Sequence, residues 1–233
     1  MLEFVIAKFY GPVYSFPIGI VLLAYLIGAL PFGFITAKFV SGQDIRTLGS
    51  GNIGATNVSR VLGGKWGLIV LILDACKGLL PVWGLPLLVI SPDDPNFLHL
   101  KVACGLATII GHMFPCYLGF KGGKGVATSL GVVLMLGPWA TLLAFVVFAG
   151  TVVYTRYVSL SSILASVAFG GLQLWLLRPN PFITETWSLA AFSLFIPAMI
   201  ILRHWTNIGR LLRGEESRFK TKKEKREEEI KND

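Results

Sequence analysis

The stretch PIGIVLLAYLIGALPFGFITAKF, residues 17–39, carries no charged side chain until Lys38. It is long enough for a bilayer crossing, which needs roughly 20 apolar residues. Similar runs occupy residues 66–90, 98–117, 158–177 and 187–202. In lipid every backbone N–H and C=O must be satisfied within the protein, so runs of this length select helices. The stretch from Val126 to Tyr154 is too long for one crossing and is divided at Gly137-Pro138, because proline lacks an N–H and restricts the residue before it. With 54% hydrophobic and 15% charged residues, the chain is also too apolar for a soluble domain of its length. The expected fold class is therefore all-α, a polytopic membrane protein with seven transmembrane helices.

Orientation follows from lysine and arginine near the span ends. One side carries Lys38, Arg46, Arg60, Lys65, Lys121, Lys124, Arg156, Arg203 and Arg210, and the other carries Lys8, Lys101 and Arg178. This asymmetry predicts an N-terminus outside and a C-terminus in the cytoplasm. No A-x-A-like cleavage site follows the first residues, so the first span is expected to remain as an anchor. The domain reading is a single transmembrane catalytic domain, 1–212, followed by a charged cytoplasmic tail, 213–233. In that tail basic residues alternate with glutamates, which favours a solvated segment over a lipid-binding patch. Cys76, Cys104 and Cys116 are odd in number and lack framework spacing, so they read as free thiols.

With this orientation, four polar stretches share the cytoplasmic side. In GSGNIGATNVSR, residues 49–60, Gly49, Gly51 and Gly54 allow positive φ, so that successive N–H groups can form an anion nest. Ser50, Asn52, Thr56 and Asn57 add donors, and Arg60 can grip a phosphate through two parallel bonds. In GHMFPCYLGFKGGKGVAT, residues 111–128, Gly122, Gly123, Lys124 and Gly125 stand before a helix start, where backbone donors, helix dipole and an ammonium favour an anion. This is no P-loop. Gly119 and Gly123 are one residue too close, and Gly125 stands where Ser or Thr must follow Lys124. His112 reads as a satisfied helix histidine.

In RYVSLSS, Ser159, Ser161 and Ser162 can donate to a phosphate or cap the next helix. In RHWTNIGRLLRGEE, His204 and Asn207 are three apart, on one helix face, and Glu215 is expected to support that end by pairing with Arg203, Arg210 or Arg213. Asp74 and Lys77 lie inside a span, three residues apart and able to pair. Ionisable groups at that depth are often functional, and a couple that only tightens the bundle is an equal reading. No spacing suggests a metal site, and no cofactor or nucleic acid is implied.

Together the four motifs resemble the bacterial membrane-integral glycerol-3-phosphate acyltransferases that use acyl phosphate as donor, from the first crossing to Glu216. The H-x4-D motif of the familiar glycerolipid acyltransferases is absent, as is a G-x-S-x-G elbow. The resemblance implies an inner-membrane enzyme of phospholipid biosynthesis. It would transfer a fatty acyl group from acyl phosphate to the 1-hydroxyl of sn-glycerol 3-phosphate, giving lysophosphatidic acid and phosphate, on the cytoplasmic side. A soluble phosphate acyltransferase would supply the donor, and membrane lipid would surround the site. Site residues implied by this likeness are Ser50, Arg60, Gly122, Gly123, Lys124, Gly125, Ser159, His204 and Asn207. A transporter for an organic phosphate is the alternative, but it should place polar groups at the midplane and on both sides. Here only Asp74 and Lys77 come near that description.

Overall fold

The computed structural model describes residues 15–219, and among these it contains ten α-helices, three short 3-10 turns and no strand. The helices are α1 (Ser15–Gly28), α2 (Phe32–Ser41), α3 (Ala55–Leu62), α4 (Gly64–Gly84) and α5 (Phe97–Met113). They continue with α6 (Val126–Leu136), α7 (Pro138–Thr155), α8 (Val158–Leu176), α9 (Trp187–Arg203) and α10 (Trp205–Leu212). The division at Gly137-Pro138 falls where the sequence places it, between α6 and α7. The expectation of positive φ at Gly54 is corrected: α3 begins at Ala55, and Gly54, with φ −77°, is extended rather than left-handed.

Five segments are long and apolar enough to cross a membrane: Pro17–Ser41, Gly64–Leu88, Phe97–Leu118, Pro138–Thr155 and Val158–Leu176. Helices α9 and α10, bent by 59° at His204, form a sixth when counted as one span. The eleven residues of α6 reach only about 16 Å, short of a hydrocarbon core of about 30 Å. The chain is a multi-pass membrane protein. Its outer faces remain apolar, with Leu22, Ile72, Trp139, Val146 and Leu194 exposed, as lipid contact requires.

Between apolar helices in lipid, close backbone approach replaces the hydrophobic drive, so small residues mark the seams. A Cβ on Gly111 of α5 would fall 2.2 Å from the Tyr25 carbonyl oxygen of α1, and one on Gly131 of α6 would fall 1.9 Å from that of Ala75 on α4. These two seams hold α1 on α5 and α4 on α6. The main core joins Val102, Ile109 and Met113 of α5 to Val132 of α6, Phe169 of α8 and Phe192, Ile196 and Ile200 of α9. A smaller core of Ala37, Ile45, Ile53, Val58 and Val70 fixes the 45–58 segment against α2 and α4.

Candidate active site

The loop before α3 is shaped by one amide. Asn57 is buried; its Oδ1 accepts the Ser50 N–H at 2.8 Å, and its Nδ2 donates to the carbonyls of Asn52 at 2.9 Å and Leu48 at 3.0 Å. Asn52 Oδ1 accepts from Gly54 N at 2.8 Å, a local turn of the kind asparagine favours. Gly49 and Gly51 take the left-handed conformation, with φ of 56° and 69°, that the sequence reserves for glycine. Asn57, expected as a phosphate donor, instead spends its hydrogen bonds on this loop, and the Ser50 amide is occupied by it. The side chains of Ser50, Thr56 and Arg60 are left to face the cavity described below.

The glycine-lysine run is built differently from its expected form. Gly122 N–H donates to the Met113 carbonyl at 3.2 Å and Gly123 N–H to the His112 carbonyl at 3.1 Å, so both amides complete the end of α5 rather than pointing at an anion. This corrects the expectation that the backbone donors of Gly122 and Gly123 converge on an anion. The carbonyls of the same two glycines accept from Arg203 Nη2, at 3.1 and 2.7 Å. Gly123 lies against the His112 ring, where a Cβ would fall 2.1 Å from Nε2. Lys124 and Gly125 are the part of the run that reaches the cavity.

Glu216 is the residue that sequence reasoning missed. Its Oε1 accepts from Asn207 Nδ2 at 2.6 Å and Ser159 Oγ at 2.8 Å, and its Oε2 accepts from Arg210 Nε at 2.7 Å. Asn207 in turn accepts from Lys124 Nζ. One carboxylate thus links α8, α10 and the glycine-lysine loop. Glu215, expected to support this end, pairs with Arg213 at 2.7 Å on the exposed surface. The boundary drawn after 212 falls inside the packed body, because Arg218 Nε also donates to Tyr157 Oη at 3.0 Å and Phe219 N–H to the Arg156 carbonyl at 2.8 Å. No period in the non-helical stretch 214–219 tells Glu215 from Glu216.

These elements enclose a cavity of about 150 Å³ lined by Ser50, Asn52, Thr56, Asn57, Arg60, Lys124, Gly125, Ser159, His204 and Asn207, together with Arg210 and Glu216. Gly122, Gly123 and Glu215 are not on its wall. Leu71, Val126, Ala127, Phe148 and Val158 supply an apolar side, and Asp74 and His112 add polar groups. An adjoining, more open space of about 340 Å³ shares Ser50, Asn52, Lys124 and Arg210 and is also lined by Arg203, Trp205 and Thr206. Polar groups from motifs more than 150 residues apart therefore meet beside apolar helix faces. Among the described residues, no three His, Cys, Asp or Glu side chains gather as metal ligands.

The electrostatics suit an anion. Burial pushes the Lys124 ammonium down to about 8, with Arg210, Arg60 and Arg203 adding to the fall and Glu216 opposing it. Burial would raise the Glu216 carboxyl, but hydrogen bonds from Arg210, Asn207 and Ser159 outweigh it and hold the group below its ordinary value. His204 Nδ1 lies 2.8 Å from the Ile200 carbonyl oxygen, which can only accept. The ring proton therefore sits on Nδ1, and in the neutral ring Nε2 keeps its lone pair.

A sequence profile of the glycerol-3-phosphate acyltransferase family matches residues 18–214. The chain belongs to this family. A member from Syntrophotalea carbinolica is 49% identical over 199 residues, covering 85% of this chain and 95% of its own. One from Desulforamulus reducens is 46% identical over 204 residues, covering 88% and 96%. Among solved structures, the integral membrane glycerol 3-phosphate acyltransferase PlsY in its glycerol 3-phosphate form superposes with a TM-score of 0.77 at 41% identity, covering 88% of this chain and 96% of its own. Its lysophosphatidic acid form gives 0.73 at 40% identity. The chain is thus an enzyme of the glycerol-3-phosphate acyltransferase family, which serves phospholipid synthesis.

Proposed function

We propose that this enzyme moves a fatty acyl group from acyl phosphate to the 1-hydroxyl of sn-glycerol 3-phosphate, releasing lysophosphatidic acid and inorganic phosphate. The observation that carries the reading is the cavity in which Arg60, Lys124 and Arg210 gather beside the apolar wall of Leu71, Val126 and Phe148. Two phosphate-bearing substrates, one with a fatty tail, need cations and an oily wall side by side. The glycerol 3-phosphate and lysophosphatidic acid held by the PlsY structures support the acceptor and the product. A soluble phosphate acyltransferase is the proposed source of the donor.

An acyl phosphate is a mixed anhydride and already activated, so positioning and charge stabilisation can carry the reaction without a protein nucleophile. In this reading Arg60 and His204 hold glycerol 3-phosphate, and Lys124 takes the donor phosphate. The Ser50 hydroxyl stabilises the tetrahedral oxyanion. Thr56 and Asn52 supply further donors at the rim, while Asn57, Asn207, Ser159 and Glu216 hold the loops that carry these groups. The acceptor hydroxyl attacks the acyl carbonyl, its proton passes to the departing phosphate, and the acyl-oxygen bond to that phosphate breaks.

We place the site at the cytoplasmic face of the bacterial inner membrane, with seven crossings when α6 is counted, the N-terminus outside and one catalytic body ending in a charged tail. The excess of Lys and Arg on the loops bearing the site supports this orientation. Purified protein in lipid, given glycerol 3-phosphate with either acyl phosphate or acyl-CoA, should form lysophosphatidic acid by mass only with the former. Product from acyl-CoA alone would overturn the donor assignment.

A further inference from the structure

Lys124 is gripped at both ends by residues of one bent pair of helices. Its Nζ donates to Asn207 Oδ1, on α10. The two carbonyls just before it, those of Gly122 and Gly123, accept from a single nitrogen, Nη2 of Arg203, at 3.1 and 2.7 Å. Arg203 is the last residue of α9, so it and Asn207 stand four apart on either side of the 59° bend. The bend brings one group to the tip of the lysine and the other to the backbone that carries it.

The glycines leave this loop dependent on such partners. A Cβ on Gly122 would fall 2.1 Å from the His112 carbonyl oxygen, and one on Gly123 would fall 2.1 Å from His112 Nε2, so neither position accepts a side chain. A run without side chains cannot fix its path by packing them, and glycine is free in φ and ψ. What its peptide groups meet decides where it lies: α5 takes the two amides, and Arg203 takes the two carbonyls. The guanidinium is itself steadied by the Phe114 ring, whose centroid is 5.2 Å away.

An arginine at the end of a membrane span needs no such arrangement. It can keep its head in water at the interface, or complement the last carbonyls of its own helix. Arg203 instead commits Nη2 to a segment 80 residues away, while its Nε is buried without a hydrogen-bond partner among the described residues. An unmet donor is a cost that a merely anchoring arginine would avoid by turning outward. Nor does Arg203 line the cavity that holds Arg60 and Lys124; it borders the adjoining open space instead.

We propose that Arg203 is a positioning residue for Lys124: by clamping the Gly122 and Gly123 carbonyls it sets where the ammonium meets a substrate phosphate, without touching that phosphate itself. This deepens the reading above and rests on it for the phosphate that Lys124 takes. Asn207 steers the free end of the lysine and Arg203 the fixed end, so the bend between α9 and α10 is the part that joins them.

The test measures equilibrium binding of two ligands to the full-length protein in detergent. One is glycerol 3-phosphate, and the other is hexadecyl phosphate, which has a phosphate and a fatty chain but no acyl group to transfer. Lys124→Met identifies the ligand whose phosphate the ammonium meets, expected to be hexadecyl phosphate, and should weaken it at least about tenfold. Arg203→Met should weaken the same ligand at least about fivefold and leave the other within about twofold. Together the two substitutions should cost at most about twofold more than Lys124→Met alone, because Arg203 then has no lysine to position. Should Arg203→Met fail to fold, Phe114→Leu removes the ring that steadies the guanidinium and is read in the same cycle, with about a threefold loss expected. Losses that multiply in the combined variant overturn the proposal, since they make Arg203 a phosphate ligand in its own right. So does weakening of a ligand that Lys124→Met spares, or no loss in the variant that is read. If the ligand lost with Lys124 is glycerol 3-phosphate and Arg203 follows it, the donor seat assigned above falls while the positioning role stands; if Lys124→Met weakens neither ligand, both fall.

Discussion

Two loops at the site are organised by two different side chains. The segment before α3 is held by Asn57, a neutral amide whose hydrogen bonds go to the backbone around it. The segment after α10 is held by Glu216, a carboxylate that takes its partners from the side chains of Ser159, Asn207 and Arg210. The neutral organiser leaves the field of the cavity unchanged. The charged one sits among cations and subtracts from their field while fixing where they point. Damage at Asn57 should therefore register first as lost stability, and damage at Glu216 as lost catalysis.

Glu216→Ala should give the largest effect. It strands Arg210 and Asn207 and frees the groups they hold at the cavity, and kcat/KM should fall by at least about 100-fold, about 2.7 kcal/mol in the barrier at 1.36 kcal/mol per tenfold. Glu216→Gln, which keeps the shape and one acceptor, should recover part of that loss. Truncation after Gly214 should match Glu216→Ala, whereas truncation after Phe219 should keep turnover; equal activity of the two truncations would break the contrast. The same carboxyl also makes folding pH-dependent. Its pKa is lowered on folding, so its stabilisation is whole above the ordinary value of 4.5 and is lost as pH falls below it, which acid unfolding of Glu216→Gln against wild type would read.

Asn57→Ala comes next. It leaves the Ser50 N–H and two or more carbonyls unpaired, at about 1–3 kcal/mol each for groups that water cannot reach. A drop in thermal midpoint with a smaller change in KM is expected. A KM effect without lost stability would mean that Asn57 touches the substrate. Lys124 should then show in the pH profile. Its pKa is depressed to about 8, so its charge is complete only below that value and declines as pH rises through it. The kcat/KM for phosphate substrates should fall on the alkaline side of about 8, and Lys124→Arg should move that limb upward. Smallest of all is Asp44→Asn. Asp44 pairs with Arg46 on the exposed loop, and turnover should stay within about twofold because surface pairs contribute little.

Much of this site is legible in the sequence because its chemistry is local. Ser50, Arg60, Lys124, His204 and Asn207 sit in short polar words between apolar runs, and all five line one cavity. The broken helix at Gly137-Pro138 is legible for the same reason, since proline acts within its own turn. What depends on contact between distant segments is not. The Gly122 and Gly123 amides turn to the end of α5 because the carbonyls of Met113 and His112 await them there. The choice of Glu216 over Glu215 is made by Ser159, 57 residues away. Asp74 reads as half of a self-paired couple, and its pairing with Lys77 is present. Its place on the cavity wall depends on how α4 turns against α5.

The presence of Glu216 bears on how a reaction cycle ends. A seat made of cations alone would hold any anion that entered and surrender it slowly. Here an internal carboxylate competes for Arg210 and, through Asn207, for the neighbourhood of Lys124. In the proposed reaction each departing anion would hand its partners back to a resident counter-charge instead of leaving them bare, so the group that keeps the empty seat in shape would also ease release.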